Sequence, residues 1–200
     1  MVEIFQKGGP VMWPLLVTSV VGLTVAIERL IFIAREKSRR DSSLVEQILA
    51  QAEQGNIDAA VRSGKGSGDF VVRTLIYGLA QREKSFANAL LQAANKELKR
   101  FNQGLPVLDT IVTLAPLLGL LGTVTGMIHA FGLLGGRELE APAVITGGIA
   151  EALIATAFGL AIAIVALIPF NYLNARVEEA RHEIEDASSH LELHLMKPGR

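Results

Sequence analysis

The chain has 200 residues, half of them hydrophobic and only 20% charged, with a mean hydropathy of +0.38. That balance places it in the membrane class rather than among soluble domains. A net charge of −1 leaves no basic surface for nucleic acid, and the lack of cysteine excludes disulfides, thiolate metal sites and cysteine nucleophiles. The four histidines show no zinc-like spacing and no glycine-rich phosphate loop occurs, so the chain reads as a non-enzyme with no metal and no cofactor.

Residues 1–10 lead into a first apolar stretch over 11–34, long enough for the ~20 residues that a bilayer crossing takes. Pro14 lies near its start, where proline costs a helix little. A signal peptide is the alternative, but the apolar core is too long, Glu28 and Arg29 interrupt its end, and no small-residue cleavage site follows. Residues 35–109 read as a helical domain. Leu44, Ile48, Leu49 and Ala52 recur at helical spacing, Gly55-Asn56 and residues 63–68 (SGKGSG) are breaks, and a helical pattern then runs with few interruptions from Phe70 to Gln103. A second span over 110–134 carries no charged residue. A short loop over 135–145 makes a tight hairpin with a third span over 146–170, whose one charge is Glu151. The tail over 171–200 is amphipathic, with Val177, Ile184, Leu191 and Leu195 spaced seven or four apart.

Basic residues fix an orientation. Arg35, Lys37, Arg39 and Arg40 follow the first span, Lys96, Lys99 and Arg100 precede the second, and Arg176 and Arg181 follow the third. Only Lys7 and Arg137 lie on the other side. The positive-inside rule therefore places the N-terminus outside, and residues 35–109 and the tail in the cytoplasm. The fold class expected is an all-α polytopic membrane protein with three transmembrane helices and a cytoplasmic helical domain.

Two motifs carry the chemistry: residues 115–127 (APLLGLLGTVTGM) and residues 148–159 (GIAEALIATAFG). On the second span Ala115, Gly119, Gly122, Gly126 and Ala130 form one small-residue stripe, and Ala152, Thr156, Gly159 and Ala163 do the same on the third. Such stripes let membrane helices approach closely, because lipid supplies no hydrophobic drive for association. Pro116 removes a backbone bond inside the second helix and predicts a kink. Thr123 sits roughly 40° around the helix from Gly119. Each threonine either bonds back to its own helix or lines an ion path. Glu151 faces a cavity or a partner, or snorkels to the outer interface. It lies about 140° from Thr156 on an ideal helix. It therefore shares a face with Ala155, Phe158 and Ile162. His129 is a candidate proton relay, since imidazole titrates near pH ~6.5, or an interfacial residue. Glu28 and Arg29 form an inner-interface anchor. If protons cross, the spans offer only Glu151 and His129 as titrating groups, so a partner helix is expected to supply a carboxylate.

These segments resemble the MotA/TolQ/ExbB family of ion-driven inner-membrane motor subunits, on its ExbB and TolQ branch. The marks are the two motifs above, residues 27–30 (IERL) and Asn171-Tyr172; where relatives read AIPA, this chain has AIVA at 163–166 and its proline later, at Pro169. The resemblance implies a homopentameric ring in the bacterial inner membrane around a dimer of a single-span ExbD/TolR-like partner. The partner's aspartate would bind the proton and face Thr123 and Thr156, with Glu151 as the pore glutamate. It also implies that ion flow is passed to a TonB- or TolA-like protein, energising outer-membrane transport. A TolQ-type role in envelope integrity and cell division, a passive membrane scaffold and a self-sufficient channel stand as alternatives. Protons or sodium fit the residues equally.

Overall fold

The computed structural model describes Phe5, residues 7–132 and residues 141–195, with the side chains at 83–84 and 141–145 set aside. Arg137 and most of the expected outer loop lie outside the described residues. Among the described residues the helices α1 (Met12–Ser38), α2 (Ser42–Glu53), α3 (Ile57–Gly64), α4 (Phe70–Ala80), α5 (Arg82–Asn102), α6 (Leu105–Gly132) and α7 (Ala141–Leu195) follow in order. No strand occurs among the described residues, and three helical stretches are long and apolar enough to cross a membrane. The chain divides into two compact units, Met1–Arg29 with Gly104–Tyr172, and Leu30–Gln103 with Leu173–Arg200.

The first unit is a membrane hairpin. α6 buries one stripe, namely Leu105, Leu108, Ile111, Ala115, Gly119, Gly122, Gly126 and Ala130. α7 answers with Gly148, Ala152, Ala155, Gly159, Ala163 and Ala166. The helices run antiparallel, since Gly126 lies against Gly148, Gly122 against Ala155, Gly119 against Thr156, and Ala115 against Gly159. Val11, Met12 and Leu15 pack with Ala115, Ala155 and Ala163, which brings the start of α1 onto the hairpin. Pro14 falls in the first turn of α1, where its missing N–H has no helical acceptor to serve. Pro116 and Pro169 lie inside α6 and α7, and both helices continue through them. α7 begins at Ala141, a turn earlier than residue 146, and runs on as one helix through the tail.

The second unit is a helical bundle built on caps and ion pairs. Asp41 caps α2 by accepting from the Leu44 N–H at 3.0 Å. α2 buries Val45, Ile48 and Ala52 and stops at Gly55, whose φ of +79° suits glycine. The expected long helix over 70–103 is instead two antiparallel helices. Tyr77 bonds Gln92 at 3.1 Å and Arg73 bonds Glu97 at 2.8 Å, while the backbone leaves helical geometry at Ser85. Gly78 allows this pairing, because a Cβ there would meet the Leu90 side chain. The tail segment of α7 buries Leu173, Val177, Ala180, Ile184, Ala187 and Leu191, a four-three repeat that keeps one face inward.

Buried charges in this unit are paired. Asp69 is fully buried and accepts from the Val71 N–H at 2.8 Å, from the Asp41 N–H at 2.7 Å and from Arg40, which also pairs with Glu183. Glu97 joins Arg73 and Arg100, and both arginines also reach buried Glu36. Burial pushes the Glu97 carboxyl up, but hydrogen bonds from Arg73 and Arg100 outweigh it and hold the carboxyl below its ordinary value. Two of the basic residues read from sequence as orientation signals, Arg40 and Arg100, therefore also tie the bundle together, alongside Arg73.

Candidate functional site

The site is the seam of the α6–α7 hairpin, and its geometry follows from absent side chains. A Cβ built on Gly119 would lie 3.0 Å from Thr156 Cα and 3.1 Å from the Ala155 carbonyl oxygen. One on Gly126 would lie 3.1 Å from the Gly148 carbonyl oxygen. Gly122 meets Ala155, and Gly159 lies against the Ala115 carbonyl and Gly119. The helices thus stay in close contact over about three turns, the approach that small residues permit in lipid. The seam on α7 is rotated slightly from the expected one. Ala155 is fully buried, whereas Thr156 stands half-buried at its edge.

From that edge the Thr156 hydroxyl reaches across and donates to the Gly119 carbonyl at 2.9 Å. Thr123, one turn further along α6, is half-buried and donates to its own helix at the Leu120 carbonyl, 2.6 Å away. Thr125 does likewise toward Leu121 at 2.9 Å. The hydroxyl protons of Thr123 and Thr156 are therefore both committed to backbone carbonyls of consecutive α6 residues, Leu120 and Gly119. In this arrangement each hydroxyl offers outward only its acceptor lone pairs. The seam thus presents a pair of adjacent acceptors in an uncharged stretch.

Glu151 takes a different position. Its antiparallel register sets it at the depth of Thr123, but its carboxylate lies against the backbone of Gly9, where any Cβ would collide with it. Gly9 has φ +73°, so its geometry suits glycine on two counts. The sequence offered snorkelling, a cavity or a partner for Glu151; in the chain it packs on the N-terminal turn ahead of α1. The Gly8-Gly9-Pro10 run was the available signal for that turn. His129 is exposed on α6 beyond Gly126, off the seam. Glu28 and Arg29 pair with one another, and the Arg29 stem packs where a Gly104 Cβ would lie 3.1 Å away.

Residues 67–186 match the MotA/TolQ/ExbB proton channel family. The chain belongs to that family. It is 39% identical over 196 residues to a Synechocystis sp. protein described as biopolymer transport protein ExbB-like 1, covering 94% of this chain and 76% of that one. ExbB-like 3 of the same organism is 32% identical over 199 residues, covering 94% and 91%. The Tol-Pal system protein TolQ of Haemophilus influenzae is 42% identical over 94 residues, covering 47% of this chain and 41% of TolQ. The family match takes in Thr123, Glu151 and Thr156, and with them the whole of the small-residue seam.

One grouping in the second unit was invisible to sequence spacing. His190 and His194, one turn apart on α7, meet Glu53 at the end of α2. The expectation of no zinc-like spacing passed over His190 and His194, which do stand at a zinc-type separation of four; the third ligand, Glu53, comes from another helix and no spacing shows it.

Proposed function

We propose that the chain is an ExbB/TolQ-like stator subunit of the bacterial inner membrane, driven by ion flow. In this reading it forms a homopentameric ring around a dimer of single-span ExbD/TolR-like subunits and energises a TonB- or TolA-like protein. The N-terminus is periplasmic, and residues 35–109 and 171–200 are cytoplasmic. The observation that carries the reading is the committed state of the two seam threonines.

Because Thr123 and Thr156 already donate to Leu120 and Gly119, they can only accept. A protonated carboxyl on a partner helix is a donor and would be favoured against them, whereas its carboxylate would not. Such a contact raises the partner acid's proton affinity at one angular position and releases the proton elsewhere. Each proton moving through 100 mV supplies ~2.3 kcal/mol, which is comparable to the hydrogen bonds being exchanged. Glu151 belongs to the ion path or to assembly, and His129 to a relay in the outer half of α6.

The same hydrogen bonds suit a passive scaffold, in which the hydroxyls serve packing alone. Thr156→Val and Thr156→Ser separate the two. In cells, the valine variant is expected to assemble normally yet lose ion-driven uptake or envelope integrity, and the serine variant to keep both. Full output from a normally assembled Thr156→Val protein would remove the threonine role. Native mass spectrometry with and without a co-expressed single-span subunit tests the architecture. A ring that takes up the partner supports it, and a monomer or dimer that ignores the partner leaves the scaffold.

A further inference from the structure

We propose that Glu53, His190 and His194 form a binding site for a divalent transition-metal ion of the zinc class, clasping the end of α7 to α2. His190 Nε2 lies 3.1 Å and His194 Nε2 lies 3.5 Å from Glu53 Oε1. The three ligating atoms all fall within 4.8 Å of one another. Ligands at about 2.0–2.1 Å in a tetrahedral zinc sphere stand roughly 3.3 Å apart, so both Glu53 distances already fit and the two ring nitrogens have at most about 1.5 Å to close.

Tautomer chemistry sharpens the case. His194 Nδ1 sits 3.0 Å from the His190 carbonyl oxygen, which can only accept. Nδ1 therefore carries a proton, and whenever the ring is neutral its Nε2 presents a lone pair toward the Glu53 carboxylate. Two acceptors face one another there, and a positive charge between them removes the repulsion. An Nδ1–H held by a backbone carbonyl is also how metal-bound histidines are commonly oriented. Two imidazoles and one carboxylate, all partly exposed, leave a coordination position open to water. The nitrogen-rich set selects zinc, cobalt, nickel or copper over magnesium or calcium.

The rings also meet edge to face at a centroid distance of 4.9 Å. Occupancy would join two segments 137 positions apart in the chain, Glu53 and His190, and hold the last turns of α7 in place. A proton on either imidazole is the competing cation, and the ion pair it makes would carry no metal.

The untagged full chain in detergent micelles, stripped with chelator, would be titrated with zinc and separately with cobalt. A single zinc ion per chain is expected, with an intense visible cobalt spectrum of tetrahedral type. Glu53→Gln and the His190→Ala/His194→Ala double variant should each weaken binding by at least about tenfold. Zinc should also slow amide exchange in the last two turns of α7 in the parent chain but not in the double variant. Circular dichroism would show that both variants keep their helix content. Failure to bind either metal, or equal binding by the double variant, overturns the site and leaves a proton-held histidine–carboxylate pair.

Discussion

An alanine at Gly159 would put its methyl carbon 2.5 Å from the Ala115 carbonyl oxygen and 3.0 Å from Gly119 Cα. Both are backbone atoms and cannot rotate aside. Ordinary contact begins at 3.4 Å, so the helices must part by about 0.9 Å at this point. That movement would stretch the Thr156–Gly119 hydrogen bond from 2.9 Å to roughly 3.8 Å, beyond the range in which it holds. Overpacking of this kind costs about 1–3 kcal/mol. Loss of an interhelical bond in a membrane protein adds about 0.6 kcal/mol. Alanine recovers up to about 1 kcal/mol of helix propensity. Gly147→Ala is the control, since a Cβ there meets nothing within 4 Å and only the propensity gain applies. The propensity gain is common to both, so equilibrium unfolding in mixed micelles of rising dodecyl sulfate content should find Gly159→Ala less stable than Gly147→Ala by about 2–4 kcal/mol. A Gly159→Ala protein as stable as Gly147→Ala would refute the close backbone seam.

Gly9→Ala should destabilise by about 1–2 kcal/mol through its left-handed backbone alone, and further by displacing Glu151. Adding Glu151→Ala removes the collision but not the backbone strain, so chemical denaturation should show partial recovery. Complete recovery would mean that the backbone at Gly9 is unstrained. Glu97 gives a pH dependence of known sign. Its folded carboxyl titrates below the unfolded one, so its ionised form adds stability above the unfolded value. That stability is lost as pH falls through the folded value. Thermal melts should therefore drop on acidification through and below the ordinary carboxylate range, about pH 4. Glu97→Gln should start lower at neutral pH and fall less steeply; an unchanged acid slope would remove Glu97 from the network's titration.

The parts legible in sequence were those carried by periodicity. Ala115, Gly119, Gly122, Gly126 and Ala130 repeat at helical spacing with nothing large between them on that face, and the structure buries all five. On α7 the reading was one residue off, because Ala155 and Thr156 are adjacent small residues and either could head the stripe. Only the partner helix decides, placing Gly122 against Ala155 and the Thr156 hydroxyl over Gly119. The reversal between α4 and α5 had no glycine or proline to announce it at residues 81–85. It is fixed by long-range pairs such as Arg73–Glu97, which no local window contains. The Glu53–His190–His194 grouping failed to show for the same reason, since only its histidine half is local. Glu151 was flagged by its charge, but the backbone it touches lies more than 140 residues away, at Gly9.

The hairpin turns its bulk outward: Leu120, Ile128, Leu153, Leu160, Ile164 and Ile168 are all exposed, while the seam from Ala115 to Ala130 is glycine and alanine. A soluble core stores its shape information in large side chains, and this one stores it in their omission. Two surfaces can thus drift independently. The outer one can be recut to suit a different lipid thickness or a different neighbour without disturbing the seam. The seam tolerates almost no added atom, so its dimensions form a fixed gauge around which a varied exterior can be built.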